Sequence, residues 1–180
     1  MEDNNARALI KEAASELQEI LPCVKFWVWP KGRAPLKYKE TFIHVMKSGN
    51  GCSSHVGKKP SGSQKMKLDS KCMKLGTIIH EMIHALGFHH EQSRPDRDDY
   101  VEVNFDNIRE GKQNNFKKYD YNEVSTFGVP YNPKSITQYS SKAFSANGEP
   151  TILTINGKRI SNSKRLQKTD IIKLKRMYKC

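Results

Sequence analysis

No stretch of the 180 residues approaches the roughly 18 to 20 consecutive apolar residues of a membrane-spanning helix. The first fourteen residues, MEDNNARALIKEAA, have neither the basic start nor the apolar core of a secretory signal. Cysteine is scarce: Cys23, Cys52, Cys72 and Cys180 are the four present, and no two are spaced as CxxC. That spacing argues against a zinc ribbon or a thioredoxin-type redox pair. An even number fits two disulfides, with three connectivities open; four buried thiols of a reduced chain are the alternative. Acidic residues are also short, 19 against 31 Lys and Arg, for a formal net charge of +12. Such a charge suits anionic glycans or acidic surfaces as partners. No aromatic RNA-binding signature, finger spacing or helix-turn-helix pattern accompanies it, even in the basic end at residues 157–180, so nucleic acid is not expected. Repeats, low-complexity tracts and linkers are absent, and one domain over residues 1–180 is expected.

What is present reads as α+β. Residues 6–21, ARALIKEAASELQEIL, place Leu9, Ile10, Ala13, Leu17 and Ile20 on one stripe of a helix that Pro22 ends. The β-branched and aromatic runs 24–29 (VKFWVW) and 41–47 (TFIHVMK), and the alternating run 63–69 (SQKMKLD), predict three strands. Residues 73–87 are apolar at helical spacing and stop at Gly87, the residue type best suited to a left-handed helix end. Regular signals then thin out until a short helix at 169–178, with Ile172 and Met177 available for a core.

The chemistry concentrates in residues 80–99, HEMIHALGFHHEQSRPDRDD. His80 and His84 are one turn apart on one helix face, so their imidazoles can converge on one ion. Gly87 lets the backbone reverse, and three residues later His90 can supply a third ligand. Three neutral imidazoles suit zinc and leave a coordination position for water, the arrangement of a catalytic site. Glu81, beside the first ligand, is within reach of that water. The five specified positions of HExxHxxGxxH arise by chance on the order of once in ten thousand chains of this length. His44, His55 and His89 have no partner at ligand spacing and are expected to be surface or packing residues.

The motif HExxHxxGxxH is that of the metzincin proteases. Its continuation, GFHHEQSRPDRDDYV, resembles the astacin family, whose pattern continues GFxHExxRxDRD. The similarity extends through 48–57 (SGNGCSSHVG), 76–81 (GTIIHE) and the closing helix with Cys180, nearly the whole chain. The resemblance implies a zinc endopeptidase with a sheet-and-helix N-terminal half, about residues 1–87, and an irregular C-terminal half, about 88–180, flanking a zinc cleft. It implies Zn2+ on His80, His84 and His90, Glu81 as the base, and Tyr139 as a second catalytic group. An extended peptide would add to an edge strand near residues 51–57. The resemblance also implies disulfides Cys23–Cys180 and Cys52–Cys72, and so secretion.

The chain departs from the family pattern at two places. Where astacins carry SxMHY beneath the zinc, residues 135–139 read SITQY, with Thr137 for methionine and Gln138 for histidine. An unpaired buried hydroxyl there would cost about 1 to 3 kcal/mol, which keeps open a zinc-bound but weak or inactive binding module with a basic surface. The family's signal, propeptide and first strand also have no counterpart before Ala6, so the chain is expected to be a piece of a longer protein. The buried amino terminus that pairs with the glutamate after the third ligand is then missing; Glu91 has no obvious partner, Arg94 being within local reach. Acid-preferring astacins carry an arginine in a stretch like IGQRxxLS; here Ser163 takes its place, and Lys164 and Arg165 are the candidate substrate-binding cations.

Overall fold

The structure, a computed structural model, describes residues 4–29 and 40–180. They form two compact units: residues up to Phe88 together with Tyr178–Cys180, and His89–Met177.

In the first unit, helix α1 (Asn4–Ile20) buries Ala6, Ile10, Ala13, Ala14 and Leu17. It stops where Pro22 offers no N–H to continue the ladder. The chain then runs through residues 24–29 without forming the strand their composition predicts. Side chains of α1 meet their backbone groups instead: Phe26 N donates to Gln18 Oε1 at 3.0 Å and Arg7 Nη2 donates to Trp29 O at 3.3 Å. Trp27 is 80% exposed.

Strands β1 (Phe42–Lys47), β2 (Ser53–Ser54) and β3 (Ser63–Leu68) form a sheet in the order β1-β3-β2. β1 runs parallel to β3, with Val45 opposite Met66, and β2 runs antiparallel to it. On β3, Gln64, Met66 and Leu68 are buried and Ser63, Lys65 and Lys67 are exposed, the period of two that fixes register. Helix α2 (Leu75–Ala85) packs on α1 and on this sheet. Ile78 and Ile79 are sealed from solvent, each contributing roughly 1.5 to 3 kcal/mol of burial. Disulfides Cys23–Cys180 and Cys52–Cys72 both lie in this unit.

The second unit has little regular structure. Its two-stranded sheet pairs β4 (Val101–Val103) antiparallel with β5 (Ile152–Thr154), and Val101, Ile108, Phe116, Tyr131, Ile152 and Ile160 form its core. Side chains satisfy backbone groups where ladders are short. Buried Arg97 donates through Nη1 to the carbonyls of Gln92 and Phe116, and Thr151 Oγ1 donates to Ala143 O at 2.7 Å. Helix α3 (Lys168–Tyr178) contributes Leu174 to the interior, but Met177 is 38% exposed and Ile172 is half-buried. The inward face carries Asp170 and Lys173 instead, because ion pairing, not apolar contact, fills that side. Among the described residues, no helix is long and apolar enough to cross a membrane.

Candidate metal centre and active site

Helix α2 ends in a Schellman turn. Gly87 N donates to His84 O at 2.8 Å and Phe88 N donates to Ile83 O at 3.2 Å, with Gly87 at φ 106°. This reversal brings the Phe88 carbonyl to 2.6 Å from His84 Nδ1. A carbonyl only accepts, so Nδ1 carries the proton and the lone pair of the ring is on Nε2. That Nε2 lies 3.0 Å from Nε2 of His80. With His90 added, the three ring nitrogens lie within 4.8 Å of one another. No other group of three His, Cys, Asp or Glu side chains converges in this way among the described residues. Three imidazole donors with the tautomer of one fixed by a carbonyl fit zinc, which takes neutral nitrogen ligands and leaves an open position in catalytic sites.

Glu81 follows the first ligand on α2 and is 4% exposed. Its Oε2 is buried with no hydrogen-bond partner. Desolvation disfavours its charge and pushes the carboxyl up to about 7. An orphaned buried carboxylate oxygen is costly unless a water or ion completes it.

The His90 ring packs on the Tyr139 ring, centroids 4.4 Å apart, and Tyr139 packs in turn on Phe116 and Phe144. The turn that carries Tyr139 has adapted to its residues. Thr137 is buried, yet its Oγ1 is 3.1 Å from Ser135 Oγ, so the hydroxyl is paired and its desolvation is offset. Gln138 accepts from the Tyr131 hydroxyl and donates through Nε2 to Tyr139 O at 3.0 Å.

Glu91 is 2% exposed and fully partnered. Its Oε1 accepts from Asn132 N at 3.0 Å and from Arg94 Nη1 at 3.2 Å, and its Oε2 accepts from Lys173 Nζ. Arg94 is within local reach by spacing, whereas Lys173 lies 82 residues away and escapes a reading of the sequence. The available signal is an acid and a base at Asp170 and Lys173, one turn apart in a helix otherwise short of acids. Lys164 and Arg165 are exposed. So are His44 and His55, while His89 is half-buried with its ring 4.3 Å from that of Tyr119.

The family model described as Astacin, a peptidase family, matches residues 1–179. The chain belongs to the astacin family. Among its astacin relatives, Protein SpAN of Strongylocentrotus purpuratus is 44% identical over 135 residues, 73% of this chain and 22% of that protein. Zinc metalloproteinase nas-7 of Caenorhabditis elegans is 39% identical over 175 residues, 97% of this chain and 44% of that protein. Among solved structures, high choriolytic enzyme 1, a hatching enzyme zinc-protease from Oryzias latipes (medaka fish), matches with a TM-score of 0.83. Its identity is 33%, over 99% of this chain and 84% of that one. This astacin chain thus spans less than half the length of the first two relatives.

Proposed function

We propose that this chain is the peptidase domain of a secreted zinc endopeptidase that hydrolyses protein or peptide substrates. The convergence of His80, His84 and His90 carries the reading. Zinc held there supplies Lewis acidity towards a water nucleophile and a scissile carbonyl. The chain's own residues do the rest. Glu81 accepts the proton of the attacking water and delivers it to the departing amine; its raised pKa suits a group that must both take and give a proton near neutral pH. Tyr139, whose ring rests on that of His90, donates its hydroxyl proton in a hydrogen bond to the oxyanion as it forms.

Secretion is supported by the two disulfides, which persist in oxidising compartments. The net charge of +12 supports an anionic glycan or acidic surface as an additional partner. We assign Lys164 and Arg165 to a preference for acidic residues after the scissile bond. Both are exposed, so neutralising the two together should reduce enrichment of Asp and Glu in a peptide library by no more than about fivefold.

The test of the reading is proteolysis of a denatured protein by purified chain, with and without a chelator. Cleavage that stops with chelator and returns with zinc supports the endopeptidase. Stoichiometric zinc without cleavage would establish the binding module.

A further inference from the structure

We propose that Lys173 is a positioning residue of the metal centre, holding the third ligand in place through a buried ion-pair network that reaches from α3 to both catalytic turns. The proposal rests on the zinc reading above. Three buried carboxylates or cations would be costly alone; here they answer one another. Glu91 follows His90 directly, and its backbone N donates to Thr137 O at 3.3 Å while its Oε1 accepts from Asn132 N. The peptide after the third ligand is thereby fixed at both its amide and its side chain. Asp170, 4% exposed, fixes the other turn: its Oδ1 accepts from Ser135 Oγ at 2.6 Å and its Oδ2 from Ile136 N at 3.0 Å. That turn carries Thr137 and Tyr139.

Lys173 stands between these two carboxylates. Its Nζ donates to Glu91 Oε2 and lies 3.8 Å from Asp170 Oδ1, and the residue is 6% exposed. The other cation, Arg94, is largely committed elsewhere. Its Nε and Nη2 bind the two oxygens of Asp96 at 2.8 and 2.7 Å, and Nη2 also donates to Val129 O. It gives Glu91 a single longer contact at 3.2 Å. The ammonium of Lys173 is therefore the closer of the two ion-pair partners of Glu91, and the one cation within ion-pair distance of Asp170 among the described residues.

Removing that charge should release the segment bearing His90 more than it disturbs the rest of the unit. The test measures zinc affinity by competition with a chromophoric chelator, and the visible spectrum of the Co2+-loaded protein, which reports the number of nitrogen ligands. Lys173→Met should weaken zinc binding at least tenfold and alter the cobalt spectrum. The double variant Lys173→Met with Glu91→Gln, which removes the charge pair beside the third ligand but leaves Asp170 without its cation, should bind zinc at least threefold more tightly than the single variant and move the spectrum back towards that of the wild type. It also serves if the single variant does not fold. An unchanged affinity and spectrum in Lys173→Met, or a double variant as weak as the single one, would overturn the proposal while leaving the zinc site standing. A wild-type chain that binds no zinc would overturn the zinc reading and the proposal together.

Discussion

Glu81 sits where a carboxylate is least favoured as an anion, buried in α2 with one oxygen unpartnered. Desolvation pushes its carboxyl up to about 7, against an ordinary 4.5. The folded state therefore holds a proton that the unfolded chain has already released, and stability falls as pH rises from about 4.5 to about 7. Once both states are ionised, the loss amounts to about 3 kcal/mol. Thermal midpoints of the metal-free wild type and of Glu81→Gln, taken across that range, isolate this contribution. The wild type should lose ground to the variant as pH rises, and zinc should diminish the difference. A constant offset between the two would mean that Glu81 is solvated in the metal-free state.

At the scale of elements, the end of α2 decides the geometry of the centre. Gly87 at φ 106° permits the turn that gives His84 its carbonyl partner and leads to His90. A side chain in that conformation costs roughly 1 to 2 kcal/mol, so Gly87→Ala should lower the holo-protein thermal midpoint and weaken zinc binding together. Loss of stability with unchanged zinc affinity would show that the turn relaxes without moving the ligands. Helices α1 and α2 and strands β1 and β3 are legible in the sequence to within about two residues at their ends, because periodicity and the stops at Pro22 and Gly87 agree. Residues 24–29 are not, since their aromatic and β-branched content suggests a strand but the backbone is satisfied by Gln18 and Arg7 of α1. β2, β4 and β5, of two or three residues each, are too short to carry a period. The histidine cluster is readable because its ligands are local in sequence. Lys173 as partner of Glu91 is hidden, since that contact spans 82 residues and depends on how the irregular turns fold back on α3.

Across the whole molecule, covalent closure compensates for limited regular structure. The Cys23–Cys180 bridge closes a loop of 157 residues and Cys52–Cys72 one of 20. In the chain-entropy model they stabilise the fold by about 5 and about 3 kcal/mol. Reduction should therefore lower the thermal midpoint steeply, and removing the longer bridge by Cys23→Ser with Cys180→Ser should cost more than removing the shorter one by Cys52→Ser with Cys72→Ser. The reverse order would place residual structure in the unfolded chain around the termini.

The proposed peptidase activity pairs a zinc held by three histidines with a proton carried by Glu81, and one comparison tests that pairing without intermediaries. It sets hydrolysis of a quenched fluorescent protein substrate by wild type against that by Glu81→Gln, each shown to contain one zinc per chain. We expect cleavage by the wild type and a loss of at least about a hundredfold in the variant, its zinc undiminished. Equal turnover by the two zinc-loaded proteins would contradict the role of Glu81, and no cleavage by the zinc-loaded wild type would contradict the peptidase reading.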